Sequence, residues 1–132
     1  FTTALPPALA NGALASVQYL QSSSVERDRQ KQQTEALKQK LRAADLPILE
    51  GDTHIVPVMV NDADICTRVC QFLLNEHQIY VQPINYPTVP KGTERLRLTP
   101  GPFHSDRMID YLVDALQLAF CHVEAEISQL AS

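Results

Sequence analysis

The first 20 residues carry no charged side chain, and residues 22–45 carry ten. This step dictates two unlike helices in succession. A stretch without charge exposes little that water prefers to solvate, so it reads as a segment made to be covered by other protein. Pro6 and Pro7 suit the first turn of a helix, where the missing amide protons have no intrahelical acceptor, and residues 8–20 continue with helix-compatible side chains apart from Gly12. A mostly buried helix is expected there. From Val25 to about Ala44 the chain is rich in Gln, Lys, Arg and Glu, with Leu37, Leu41 and Ala44 as its one apolar stripe at i, i+4, i+7. That spacing predicts a surface helix with a narrow docking seam.

Asp45-Leu46-Pro47 closes the second helix, and Gly51-Asp52 turns the chain into residues 54–60, whose β-branched content predicts a strand. Pro57 confines that strand to a sheet edge or bulges it. Asn61 followed by Asp64 has the pattern of a capping box, and Ile65, Val69, Phe72 and Leu73 share one face of the helix it opens, which should end near Asn75. Ile79-Tyr80-Val81-Gln82 and Arg95-Leu96-Arg97-Leu98 read as two more strands, separated by a proline-rich loop. Ser105 can cap a last helix, with Asp106 in its first turn and Ile109, Leu112, Val113, Leu116, Phe120, Val123, Ile127 and Leu130 along its apolar face. The expected fold class is α+β: helices against one side of a short sheet, after two leading helices.

Composition narrows the function. With 132 residues there is one modest core, and a net charge of -4 leaves no positive excess for a nucleic-acid backbone. No apolar run reaches the roughly 18–20 residues of a membrane-spanning helix. Cys66, Cys70 and Cys121 form no CxxC pair and are too few for a disulfide framework, so a reducing compartment is the default. The four histidines are scattered, and no metal site is expected. Cys66 and Cys70 read as small half-buried residues, and His122 as a helix surface residue.

The 83–97 segment differs in kind. Three prolines at 83, 87 and 90 stiffen a loop carrying Asn85, Tyr86 and Thr88, and strand alternation puts Arg95 and Arg97 on one face. Such a face is normally a solvated surface. The cost of ordering the loop, and the fit of a guanidinium to a carboxylate, favour a small-anion site instead. Thr2 and Thr3, ahead of a proline-started helix, read either as local caps or as hydroxyls for a phosphate.

The stretches Phe1-Thr2-Thr3-Ala4-Leu5-Pro6-Pro7, His54-Ile55-Val56-Pro57-Val58, Ile84-Asn85-Tyr86-Pro87-Thr88-Val89-Pro90, Arg95-Leu96-Arg97-Leu98-Thr99-Pro100 and Pro102-Phe103-His104 closely resemble the α-oxoamine synthase family in order and spacing, over essentially the whole chain. Those enzymes use pyridoxal 5'-phosphate on a type I fold of about three times this length. The resemblance therefore implies the C-terminal portion of a longer protein, following the Schiff-base lysine. It implies that residues 1–45 link from a large cofactor domain outside this chain and that 46–132 form a small C-terminal α+β domain. Lys91 lies in the wrong motif to be that lysine, and no catalytic residue is expected in this portion.

By the same resemblance, Arg97 holds the carboxylate of the amino acid substrate, Thr88 lies near the carboxylate of a succinyl group, and Asn85 and Tyr86 belong to a mobile loop that closes over substrate. Thr2 and Thr3 reach the cofactor phosphate held by the neighbouring subunit of a homodimer. Arg95 takes no such role. Gly101 departs from the Thr or Ser frequent there in relatives. The Asn-Tyr-Pro-Thr loop favours the member that condenses glycine with succinyl-CoA. Relatives making 8-amino-7-oxononanoate or 2-amino-3-ketobutyrate differ around that loop, and they stand as the first alternative. A free-standing domain that binds a small anion or a partner surface, without catalysis, is the second. The Lys91-Gly92-Thr93-Glu94 form of the loop tips localisation toward a bacterial cytoplasm over a mitochondrial matrix.

Overall fold

A computed structural model describes residues 4–130 of the chain. Its elements run α1 (Pro7–Ser22), α2 (Val25–Ala43), β1 (Val56–Met59), α3 (Ala63–His77), β2 (Gln82–Ile84), β3 (Arg95–Leu98) and α4 (Asp106–Leu130). The three strands form an open antiparallel sheet in the order β1-β3-β2. The expected α+β arrangement, two leading helices and then helices on a short sheet, is the one observed.

Strands β1 and β3 are alternately buried, whereas all three residues of β2 are half-buried. Val56 and Val58 of β1 and Leu96 and Leu98 of β3 point to one face, where they meet Leu37 and Leu41 of α2, Cys66, Val69 and Leu73 of α3, and Ile109, Val113, Leu116 and Val123 of α4. Burying each Leu or Val contributes about 1.5–3 kcal/mol, so this single layer between sheet and helices carries most of the stability. The stripe on α2 is as expected, with Leu37 and Leu41 fully buried and Ala44 packed beside them. Pro57 is tolerated because β1 is an edge strand; its outer side is bridged to residues 47–49, the Leu49 amide donating to the Pro57 carbonyl at 2.9 Å and the Met59 amide to the Pro47 carbonyl at 2.7 Å.

Five expectations are corrected. The helix α1 begins at the prolines as read, yet none of its residues is buried; Leu9, Leu14 and Val17 are each more than half exposed. The core is assembled from residue 37 onward, and no described element covers the uncharged helix. The cap of α3 is Asp62, not Asn61: Asp62 Oδ1 accepts the Asp64 and Ile65 amides at 2.9 Å each, because Asn61 takes a left-handed φ of 63° and turns the chain one residue earlier. The same helix runs on to His77, where Gln78 at φ 57° closes it through amide bonds to Leu73 and Leu74. The second strand occupies 82–84, so the expected 79–82 segment contributes its last residue only; pairing of Gln82 with Arg97 sets that register. Cys66, expected half-buried, is fully buried, while Cys70 is intermediate.

Candidate functional site

The pleat of β3 that sends Leu96 and Leu98 into the core turns Arg95 and Arg97 to the opposite face. Across that face, antiparallel register lines up Gln82, Arg97 and Pro57 in one row and Ile84, Arg95 and Met59 in the next. The two arginines differ in use. Arg95 Nε donates to the Thr93 carbonyl at 2.9 Å, and the residue is half-buried. Arg97 is exposed, and among the described residues no hydrogen bond or ion pair engages its guanidinium. A fork of five donors on a rigid strand, without a partner among the described residues, is suited to a carboxylate.

The loop between β2 and β3 is fastened at both feet. At its entry, Asn85 Nδ2 lies 3.4 Å from the Ala63 carbonyl and from Thr67 Oγ1 on the first turn of α3, and the Asn85 carbonyl accepts the Thr88 amide at 2.9 Å. At its exit, Gly92 turns at φ 80° and its amide donates to Glu94 Oε2 at 2.9 Å. The crown between them is open: Tyr86 and Thr88 are exposed, and Lys91 Nζ stands 5.2 Å from the centre of the Tyr86 ring.

A second feature was not foreseen. The end of β3, residues 77–81 and the start of α4 enclose an open groove of about 820 Å³, whose lining includes Arg97, Tyr80, His104 and Arg107. Arg107, like Arg97, has no side-chain partner among the described residues. The groove thus joins Arg97 to α4 and leaves Asn85, Tyr86 and Thr88 outside its lining. The sequence signal for Arg107 was its place in the first turn of the last helix, off the apolar stripe. Thr2 and Thr3 lie outside the described residues.

Beneath the loop, Cys66 Sγ contacts the Arg95 carbonyl at 3.4 Å. A hydrogen bond from the Cys70 thiol, aided by the Ile84 backbone, holds the Cys66 pKa down; the same contact, with burial, pushes Cys70 up. Among the described residues no group of three potential ligands could hold a metal ion, and no helix is long and apolar enough to cross a membrane.

A pyridoxal phosphate needs a lysine for its aldehyde and donors for its phosphate. Lys38 is buried against the Gly51 carbonyl and Glu35, Lys40 pairs with Asp110, and Lys91 lies over Tyr86. None of these three stands free beside Arg97. Lys31 is exposed on α2 and does not line the groove with Arg97, so the described lysines do not by themselves form that cofactor's site.

Residues 1–116 match the family model for class I and II aminotransferases. A 5-aminolevulinate synthase of Bradyrhizobium diazoefficiens is 53% identical over 116 residues, which are 88% of this chain and 28% of that protein. The enzyme of the same name from Rhizobium meliloti is 55% identical, over 88% of this chain and 29% of its own length. Among solved structures, a serine palmitoyltransferase from S. paucimobilis with bound PLP superposes with a TM-score of 0.84 at 29% identity, covering 95% of this chain and 32% of that one. An 8-amino-7-oxononanoate synthase from Francisella tularensis gives 0.73 at 26%, over 96% and 36%. The chain belongs to the class I and II aminotransferase family and, within it, to the pyridoxal-phosphate-dependent α-oxoamine synthases. Over its span it is similar to the C-terminal segment of 5-aminolevulinate synthases, and it covers a little under a third of the length of these relatives.

Proposed function

We propose that the whole protein condenses glycine with succinyl-CoA, releasing 5-aminolevulinate, CoA and carbon dioxide, as the first step toward a tetrapyrrole such as heme. The observation that carries the reading is the unpaired Arg97 on β3 beside a loop fastened at both feet, supported by relatives of that name at 53% and 55% identity.

In this reading Arg97 takes the glycine carboxylate in a two-point grip and fixes which bond of the amino acid stands ready to break. Thr88 presents its hydroxyl to the far carboxylate of the succinyl group, and Asn85 and Tyr86 close the loop over both substrates and exclude water. Pyridoxal 5'-phosphate supplies the electron sink for the glycine carbon. The remainder of the protein holds it, with Thr2 and Thr3 reaching the phosphate across a homodimer interface. Residues 1–45 would link from that large domain to the small domain at 46–132, and the chain by itself would be inactive. The Lys91-Gly92-Thr93-Glu94 form of the loop supports a bacterial cytoplasm in this reading.

The second reading is a sister condensing enzyme, favoured by the superposition on serine palmitoyltransferases. A substrate panel on the full-length, cofactor-loaded protein separates the two: glycine, serine and alanine, each with succinyl-CoA, acetyl-CoA and palmitoyl-CoA. Glycine with succinyl-CoA should turn over fastest. Preference for serine with palmitoyl-CoA would establish the sister reading, and no turnover of any pair would return the protein to the anion-binding class.

A further inference from the structure

Among the described residues Glu94 is the one buried acidic residue, only 3% exposed. Burying a carboxylate costs several kcal/mol unless it is paired or strongly hydrogen-bonded, so its place needs a reason. Glu94 Oε2 accepts the amide of Gly92 at 2.9 Å, a charge-assisted bond at the point where the loop turns at φ 80°. Its own carbonyl accepts two further amides at 2.9 Å, from Val60 and Asn61, which join the end of β1 to the cap of α3. One residue therefore ties the exit of the loop to the two elements on which the sheet and the other loop foot rest. Beside it, the Pro90 carbonyl takes the Thr93 amide at 3.2 Å and the Thr93 hydroxyl at 2.7 Å, closing a tight turn over residues 90–93.

We propose that Glu94 is a positioning residue: its buried carboxylate clamps the Gly92 end of the 85–92 loop to β3, so that Thr88 is presented at a fixed place relative to Arg97. The entry foot at Asn85 is held by two long contacts of 3.4 Å, and the exit foot by a hydrogen bond of ordinary length, 2.9 Å, to a carboxylate oxygen. The exit is thus the firmer of the two feet from which Tyr86 and Thr88 are presented. The clamp stands on geometry alone; its bearing on substrate rests on the role given to Thr88 above.

The test uses the full-length, cofactor-loaded protein with Glu94→Ala and Glu94→Gln. Glutamine keeps an oxygen that can accept the Gly92 amide, and alanine does not. Tryptic cutting after Lys91, read by mass spectrometry, should quicken about tenfold in Glu94→Ala, the worth of one hydrogen bond, and return toward the wild-type rate in Glu94→Gln. The acyl-CoA KM should follow the same pattern, while the glycine KM moves less than about twofold, because Arg97 stays on its strand. Equal cutting in all three proteins, or equal loss in alanine and glutamine variants, overturns the clamp. Faster cutting in Glu94→Ala with an unmoved acyl-CoA KM upholds the clamp and instead removes Thr88 from the acyl site. If the alanine variant does not fold, the wild-type Gly92 amide decides: it should exchange with deuterium about tenfold more slowly than the Lys91 amide, and equal rates overturn the proposal.

Discussion

Arg95 and Arg97 leave β3 on the same side, two residues apart, yet only Arg95 is spoken for: its Nε donates to the Thr93 carbonyl at 2.9 Å, while the Arg97 guanidinium has no partner among the described residues. In the proposed function, identical chemistry is thereby split into a structural part and a binding part. The division predicts opposite phenotypes. Arg95→Ala should destabilise this chain by about 1 kcal/mol through its lost hydrogen bond, measured by urea denaturation, with the glycine KM of the full-length protein unmoved. A large rise in that KM with stability unchanged would reverse the two roles.

The Asp62 carboxylate satisfies two amides at the start of α3. Asp62→Ala should cost about 1 kcal/mol of stability, in the range usual for a lost N-cap, and Asp62→Asn should cost much less. The same denaturation series decides. Asn61→Ala, by contrast, removes no capping bond and should be costly only through its left-handed backbone.

Acid sensitivity has one visible source in the Arg42–Glu50 pair, a two-point contact with Nε to Oε1 at 2.8 Å and Nη2 to Oε2 at 2.7 Å. The hydrogen bond from Arg42 holds the Glu50 carboxyl below its ordinary 4.5. A carboxyl whose folded value is depressed adds stability above its unfolded value and loses it as pH falls through the folded one. Glu50→Gln should therefore be less stable than wild type at pH 7, with the gap closing as pH falls below 4.5. Both side chains are exposed, so the gap should also shrink with added salt. A gap that stays constant from neutral to strongly acidic pH would contradict this.

Native thiol labelling should be selective. Cys121 is exposed, whereas Cys66 is fully buried and Cys70 holds its proton tightly beside it. Iodoacetamide on the folded chain, followed by peptide mapping, should modify Cys121 first and reach Cys66 only on unfolding. Early modification of Cys66 would mean that α3 leaves the sheet readily.

Periodicity made much of this fold legible before any coordinates. Leu37 and Leu41 on α2, Val69 and Leu73 on α3, and Ile109 through Val123 on α4 are core residues because their spacing forces them to one side. Alternation in β3 likewise separated Leu96 and Leu98 from Arg95 and Arg97. What failed depended on single torsions and on partners distant in sequence. Asn61 and Asp62 are both good caps, and a left-handed φ at Asn61 chose between them. The β2 register was set by β3, through Gln82 opposite Arg97. The absence of charge in α1 signalled a surface to be covered but could not say that the core formed without it. In the candidate site, Arg97 was readable from its strand, whereas the burial of Glu94 was not, since nothing local marks a glutamate as an interior residue.

The most direct trial of the account is the glycine KM of the full-length, cofactor-loaded protein with Arg97→Ala and Arg97→Lys. Losing a two-point guanidinium grip should raise the KM by about 10- to 150-fold in the alanine variant, with lysine recovering only part because it binds as a point charge. A glycine KM within about twofold of wild type in both variants, less than a single hydrogen bond is worth, would show that Arg97 does not hold the amino acid.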